Sequence, residues 1–253
     1  MTVLQNKFDG FEEIGNVNKR SLPIDAIYTY SQKFSCCIAV KAGWKFGINS
    51  DRGHDCFCVD RWEPHKVVFV DNNFKKYNHN KHLEVVKQYK PKYCTVRDAI
   101  IESDCRLMDI EYYPLEQILD WAYELQEYSE NVIVIPKSVE YVDRIPECFM
   151  LGYSVPTSYG GTNFDIRYFT GRHIHLLGGS WKKQLELLQL MGNDVVSFDN
   201  NSISIMAQYG KYILPDGSCS RIKDIFPNVN NPYYVCIAIS LGNISGKINE
   251  LFS

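Results

Sequence analysis

The 253-residue chain lacks several features that would assign it to a large class of proteins. No window approaches the roughly 18 apolar residues that a membrane span requires. Residues 1–16 carry charges throughout and contain no apolar core, so they predict neither a signal peptide nor a membrane anchor. A net charge of −3 excludes overall basic character, the usual signature of a nucleic-acid binder, and leaves only a local basic patch.

Motifs for cofactors and metals are also missing. No Gly-x-Gly-x-x-Gly follows the early strand-like segments and no phosphate-loop lysine is present, so we expect no nucleotide cofactor. The nine cysteines are odd in number and scattered among apolar runs, which predicts reduced thiols in a cytoplasmic protein. Cys56 and Cys58 form the one close pair in polar surroundings, but no second Cys or His pair lies at zinc-ligand spacing. We therefore predict no metal site.

The chain does contain short apolar runs that alternate with segments of helical period. The strand-like runs lie at 34–40, 66–70, 92–96, 131–135, 148–152, 173–178 and 194–198, and the helical segments at 78–89, 114–128 and 180–192. Strands that are apolar on both faces and separated by helices predict a parallel sheet covered on both sides. Without repeats or low-complexity tracts, we expect a single domain over 1–253, with an N-terminal extension at 1–33 and a C-terminal helical segment at 218–253.

The periodicity leaves two architectures open, an open doubly wound sheet and a (β/α)₈ TIM-like barrel, regular or incomplete. Seven strands can be counted, and an eighth is hard to place because Pro232 after two asparagines is typical of a helix start. In both architectures, ligands bind at the carboxyl ends of the strands. The residues at the carboxyl ends of the predicted strands are therefore the candidates for a ligand-binding site.

Three of the predicted strands end at or near an aspartate, namely Asp71, Asp98 and Asp199. An aspartate at this position can simply cap the next helix, and Asp98 is the strongest candidate for that role. Alternatively, the carboxylates gather in one pocket, where they raise one another's pKa. One of them can then stay protonated as an acid while another stabilises positive charge.

In chain order, the segments resemble the tRNA-guanine transglycosylase superfamily, whose (β/α)₈ barrels break the N-glycosidic bond of a nucleobase. "VVFVDNNF" is similar to the family's strand ending in an acid/base aspartate, and "YCTVRDAI" to the strand whose aspartate recognises the base edge. "FMLGYS" falls at the family's Gly-Gly-Leu strand, whose backbone contacts the base. The densest match, "RHIHLLGGSWKKQLELLQLMGNDVVSFDNN", implies that Asp199 is the nucleophile toward the sugar.

The chain also departs from that family. Ile135-Pro136-Lys137 replaces the Gln-Gly pair that reads guanine, and Asn72-Asn73 replaces a glycine pair beside Asp71. The Cys-x-Cys-x-x-Cys…His zinc site is absent. A shorter chain without zinc is more similar to the branch of the superfamily that acts on DNA, by base exchange with deazaguanines or by base removal.

General chemistry assigns roles to the same residues. Cleavage of an N-glycosidic bond builds positive charge on the sugar, so Asp199 can stabilise or bond to it while Asp71 assists the departing base or activates water. Asp98 can accept hydrogen bonds from an exocyclic amine of the base. The complete predicted base pocket consists of Asp98, Lys137, Gly152, Tyr153, Asn72 and Gly178. We expect DNA contacts from Lys41, Trp44, Lys45 and Arg52, although a solvated loop with one packed tryptophan explains that segment equally well.

These residues predict a DNA glycosylase that flips out a modified base and excises it to leave an abasic site, with anti-phage defence as a biological role. One alternative is base exchange that inserts a 7-deazaguanine into DNA or tRNA. Another is a nucleic-acid-binding barrel that has lost the chemistry. A third is an unrelated TIM-barrel hydrolase of small sugars or nucleosides.

Overall fold

The structure, a computed structural model, describes residues 22–29, 33–51, 67–158 and 160–253. Within them, eight parallel strands close into a barrel in chain order. The strands are β1 (Asp25–Tyr28), β2 (Lys45–Asn49), β3 (Val67–Asp71), β4 (Tyr93–Thr95), β5 (Asn131–Val134), β6 (Met150–Ser154), β7 (Ile174–Leu177) and β8 (Val195–Asp199). The prediction of a single-domain (β/α)₈ barrel is confirmed, and the open sheet is excluded.

The connections make the barrel irregular. The α-helices between strands are α1 (Lys33–Lys41), α2 (His79–Tyr89), α3 (Glu102–Leu107), α4 (Leu115–Gln126) and α5 (Trp181–Met191), and 3₁₀ helices lie at Phe74–Lys76, Val139–Arg144, Ile166–Phe169 and Gly192–Asp194. After β8 come α6 (Ser202–Gln208), a hairpin of β9 (Lys211–Ile213) and β10 (Cys219–Arg221), α7 (Ile222–Ile225) and α8 (Pro232–Leu251). Short 3₁₀ helices thus connect β5 to β6 and β6 to β7.

Local sequence explains where the helices begin and end. The Ser180 hydroxyl accepts a hydrogen bond from the Lys183 amide at the start of α5, and Gly192 ends that helix with a φ of 54°. Pro232 is the first residue of α8, where its missing N–H leaves no hydrogen bond unmade. The predicted helical segments at 78–89, 114–128 and 180–192 match α2, α4 and α5.

The start of the chain differs from the prediction. Residues 34–40 belong to helix α1 rather than to a strand, because a short apolar run is also compatible with a helix buried on most sides. Cys36 and Ala39 on α1 are buried, and α1 packs against α8. The first barrel strand, β1, lies inside the predicted N-terminal extension at 1–33, and β2 follows α1.

The barrel interior holds an apolar layer that separates its two ends. Its members are Ile27, Phe69, Tyr93, Ile133, Ile135 and Met150. At the N-terminal end, Lys45 and Lys92 contact the Asp25 carboxylate at 2.6 and 2.9 Å. These charges occupy the N-terminal end, so the C-terminal end of the strands, called the rim below, is where a ligand can approach the interior.

The described cysteines are free thiols; Cys148 and Cys219 are exposed and the others buried. Cys56 and Cys58 lie outside the described residues, and within them no three His, Cys, Asp or Glu side chains are grouped so as to hold a metal ion. No described helix combines the length and the apolar character that crossing a bilayer requires.

Candidate active site

The three predicted aspartates lie on the rim, and none of them caps a helix. Asp71 and Asp199 are the last residues of β3 and β8, and Asp98 follows β4. Asn73 caps the 3₁₀ helix after β3, and the Asn200 side chain accepts hydrogen bonds from the Ser202 amide and hydroxyl ahead of α6. Helix α3 begins without a side-chain cap. The capping interpretation is therefore wrong at all three positions.

Asp71 is the most perturbed acid on the rim. Burial raises its pKa to about 7, and the negative charges of Asp199 and, more weakly, Asp98 act in the same direction. Two hydrogen bonds to its Oδ1 oppose the rise in pKa. The Thr95 hydroxyl donates one at 3.0 Å, and the backbone amide of Asn72 donates the other at 2.9 Å. Near neutral pH, Asp71 is thus divided between its protonated and charged forms, as a general acid or base requires.

Asn72 holds the hydrogen-bond network behind Asp71. Its Nδ2 donates to the Thr95 hydroxyl at 2.8 Å and to the Val96 carbonyl at 2.7 Å. Its backbone amide also donates to the Thr95 hydroxyl, which leaves the threonine proton to point to Asp71. The side-chain amide of Asn72 therefore orients Thr95, and its buried Oδ1 has no partner among the described residues.

Three groups among the described residues donate hydrogen bonds to the Asp199 carboxylate. Its Oδ1 accepts the Gly178 amide at 3.0 Å and faces the Nε2 atom of His175 at 3.4 Å. Its Oδ2 accepts the Thr29 hydroxyl at 3.0 Å. Because Asp199 is 8% exposed, this orientation is fixed while one edge of the carboxylate still reaches the rim.

Gln184, on helix α5, joins the ends of β7 and β8. Its Nε2 donates to the carbonyls of Gly178 and Asp199, both at 2.8 Å. Its Oε1 accepts from the Asn200 side chain at 2.7 Å. This buried amide fixes the backbone that supplies the Gly178 donor to Asp199. The positive φ of Gly178, 58°, turns its N–H toward the carboxylate.

Asp98 and Lys137 form a largely buried ion pair beside Asp71. The Lys137 ammonium lies 3.4 Å from the Asp98 carboxylate, and their side chains are 15% and 7% exposed. The backbone brings them together because the Lys137 amide donates to the Ala99 carbonyl at 2.8 Å. Arg97 points elsewhere, with its guanidinium donating to the Glu111 carbonyl. The rim therefore presents an anion and a cation next to the two catalytic candidates.

Two residues of the predicted base pocket, Tyr153 and Gly152, present no side chain at the rim. Tyr153 is buried outside the barrel, where its hydroxyl donates to the Phe164 carbonyl and its ring contacts Phe169 edge-on. Gly152 faces the interior, where a Cβ would come within 2.6 Å of Ile135. Tight packing thus explains the glycine, and the prediction for Tyr153 is wrong because alternation turns it away from the interior.

The predicted DNA-binding residues are not gathered at the rim. Trp44 is buried, with its indole N–H donating to Ser245 and its ring against Phe198, so it cannot stack on a base. Lys45 pairs with Asp25 at the N-terminal end of the barrel, and Lys41 lies at that end too, at the close of α1. Arg52 lies outside the described residues. The loop assignment failed because 41–49 holds a helix end and a strand.

Several side chains of the site were not predicted from sequence. Thr29 lies within the predicted N-terminal extension, and no local pattern marks Thr95, Ser197 or Gln184 as site residues. His175 also belongs to the site and occupies the interior below Asp199. The alternation of inward and outward residues along β7 and β8 could have identified His175 and Ser197, because inward positions repeat every second residue.

Comparison with known proteins assigns the chain to a family. The chain is similar to the X-ray crystal structure of the YdjI aldolase from Escherichia coli K12, at 11% identity and a TM-score of 0.48, over 91% of each chain. None of the curated proteins compared matches it. A family model described as a family of unknown function, DUF6610, matches residues 39–249. The chain belongs to the DUF6610 family.

Proposed function

We propose that the protein is an enzyme that breaks the N-glycosidic bond of a nucleobase in DNA. The observation that carries the proposal is the acid pair of Asp71 and Asp199 on the rim. One acid has a pKa raised to about 7 and the other is anchored by donors on both oxygens. Two carboxylates in unlike environments are what glycoside cleavage uses.

In this mechanism the two acids have different tasks. As the bond between C1′ and the base nitrogen breaks, the base leaves with the electron pair and takes a proton from Asp71. Asp199 stabilises the positive charge on the sugar or bonds to C1′. Asp71, now charged, accepts a proton from the water whose oxygen bonds to C1′, which restores both groups. If a free base attacks instead of water, the product is an exchanged base.

The Asp98–Lys137 pair supports recognition of the base. A carboxylate accepts hydrogen bonds from an exocyclic amine, and an ammonium donates to a carbonyl or ring nitrogen. The two groups lie 3.4 Å apart, so they can address neighbouring positions of one base edge. In a duplex, that edge becomes reachable only when the nucleotide is flipped out, which costs least for modified or damaged bases.

The test is release of a base. Purified protein is incubated with unmodified DNA, hypermodified phage DNA and free nucleosides, with and without a 7-deazaguanine, and mass spectrometry follows released bases while an abasic-site assay follows the DNA. We expect release from modified DNA, lowered by at least roughly 100-fold in Asp71→Asn and Asp199→Asn. Asp120→Asn, an exposed change on helix α4, is the matched control and should keep full activity.

Each other outcome points to another function. Release only in the presence of deazaguanine indicates base exchange, and turnover of free nucleosides without salt-dependent DNA affinity indicates a small-molecule hydrolase. DNA binding without release, unchanged in Asp71→Asn and Asp199→Asn, contradicts catalysis and indicates a binding module.

A further inference from the structure

The barrel interior holds an imidazole where an apolar side chain would pack as well. His175 is fully buried in a layer whose other members are mostly apolar, and its ring stacks on Phe69 with 5.0 Å between centroids. Burying two ring nitrogens costs free energy unless each has a partner. A phenylalanine or leucine would fill this space without that requirement. The need for a polar ring therefore comes from what its nitrogens contact.

Both nitrogens of His175 have partners, and the two partner residues lie on β8. Nδ1 lies 2.8 Å from the Ser197 hydroxyl, and Nε2 lies 3.4 Å from Oδ1 of Asp199. The strands place these groups in line, because His175 pairs with Ser197 across β7 and β8 and Asp199 is the next inward residue. The result is a buried chain from hydroxyl to imidazole to carboxylate that ends at the rim.

We infer that His175 is a positioning residue for Asp199, with its ring held by the Ser197 hydroxyl so that Nε2–H points to the carboxylate. This inference rests on the proposed function of Asp199. A carboxylate can only accept, so Nε2 carries the proton and Nδ1 accepts from Ser197. His175 and the Gly178 amide both bind Oδ1, whereas Oδ2 is met by Thr29. Oδ1 therefore has two donors and Oδ2 has one, which leaves Oδ2 the oxygen with more capacity to act on the sugar.

The first experiment reads the tautomer without using activity. The ¹⁵N NMR spectrum of labelled protein at pH 8, where an ordinary imidazole is neutral, distinguishes a proton on Nε2 from one on Nδ1. We expect the Nε2–H form in the wild type and a mixture of tautomers in Asp199→Asn, whose side-chain amide can present either an acceptor or a donor to Nε2. A wild-type ring protonated at Nδ1 would overturn the inference, whether or not the protein proves to release bases.

The second experiment reads catalysis under single turnover on modified DNA. His175→Phe should lower the rate of base release by up to about 100-fold with substrate affinity unchanged. His175→Gln, which keeps a donor toward Asp199, should recover part of that loss. Ile133→Val, which removes one methyl from the same layer, is the control for altered packing and should keep the wild-type rate.

The combined results separate the two claims. A wild-type rate in folded His175→Phe, or equal losses in His175→Phe, His175→Gln and Ile133→Val, contradicts positioning by hydrogen bonding. If His175→Phe does not fold, Ser197→Ala decides, with a lowered rate supporting the inference and an unchanged rate overturning it. If the wild type releases no base, the proposed function fails, and the tautomer measurement alone decides the contact between His175 and Asp199.

Discussion

At the scale of single residues, neighbours decide how an aspartate behaves in this barrel. Burial acts to raise the pKa of Asp25, but hydrogen bonds from Lys45, Lys92 and Tyr93 hold it below its ordinary value. Asp71 has no cationic hydrogen-bond partner among the described residues and faces two other acids, so its pKa rises to about 7. The same side chain is thus structural at one end of the barrel and suited to proton transfer at the other.

The raised pKa of Asp71 makes stability depend on pH. The folded state holds the proton more tightly than the unfolded state, so the free energy of unfolding falls as the pH rises from 3.8 toward about 7. Asp71→Asn keeps an oxygen for Thr95 and Asn72 but removes the charge. We expect it to be more stable than the wild type by about 2 kcal/mol at pH 8, less than the full shift would give because the Asp71 carboxyl keeps some contact with solvent at the rim.

Chemical denaturation at several pH values between 5 and 8 checks this prediction. The stability gained by Asp71→Asn should grow with pH through that window, whereas Asp120→Asn should follow the wild type throughout. A gain in stability that is the same at pH 5 and pH 8 would contradict a raised pKa of Asp71 in the folded state.

The sequence could predict which acids matter but not what surrounds them. Asp71 and Asp199 stand out because they end apolar strands, a pattern that is visible in one segment at a time. Thr95 and His175 belong to other strands, and their contacts depend on register across the barrel. Trp44 could not be assigned from its neighbours, since burial under α8 is a tertiary contact.

At the scale of elements, long periodic segments were predicted well and short ones were not. The period of 3.6 residues over 114–128 and 180–192 identified α4 and α5 to within two residues at each end. Strand β1 has four residues, and β2 contains Gly47, which weakens the strand pattern. The run at 34–40 is too short and too apolar for periodicity to distinguish a helix from a strand.

Helix α5 also supports the site through one buried side chain. Gln184→Met would leave the carbonyls of Gly178 and Asp199 and the amide of Asn200 without their partner. We expect the free energy of unfolding to fall by about 2–3 kcal/mol. Equilibrium unfolding in urea measures the change, with the exposed Gln189→Met on the same helix as control, expected within about 0.5 kcal/mol of the wild type. Equal effects of the two changes would contradict the bridging role.

At the scale of the whole molecule, barrel closure creates the site. Asp71 and Asp199 lie far apart in the chain, and closure of β8 against β1 puts them on one rim. The same topology places Lys41 and Lys45 at the opposite end of the barrel. A basic stretch with a tryptophan was therefore a poor guide to residues at the rim, whereas position at a strand end was a good guide to the acids.

The central claim is that Asp71 and Asp199 form one coupled acid pair, and the titration of Asp71 tests it most directly. Carboxyl ¹³C NMR, with the signal assigned by its loss in Asp71→Asn, gives the midpoint in the wild type and in Asp199→Asn. We predict a midpoint of about 7 in the wild type and a lower one in Asp199→Asn, because a neighbouring negative charge has been removed. A wild-type midpoint near 3.8, or one that Asp199→Asn leaves unchanged, would contradict the account.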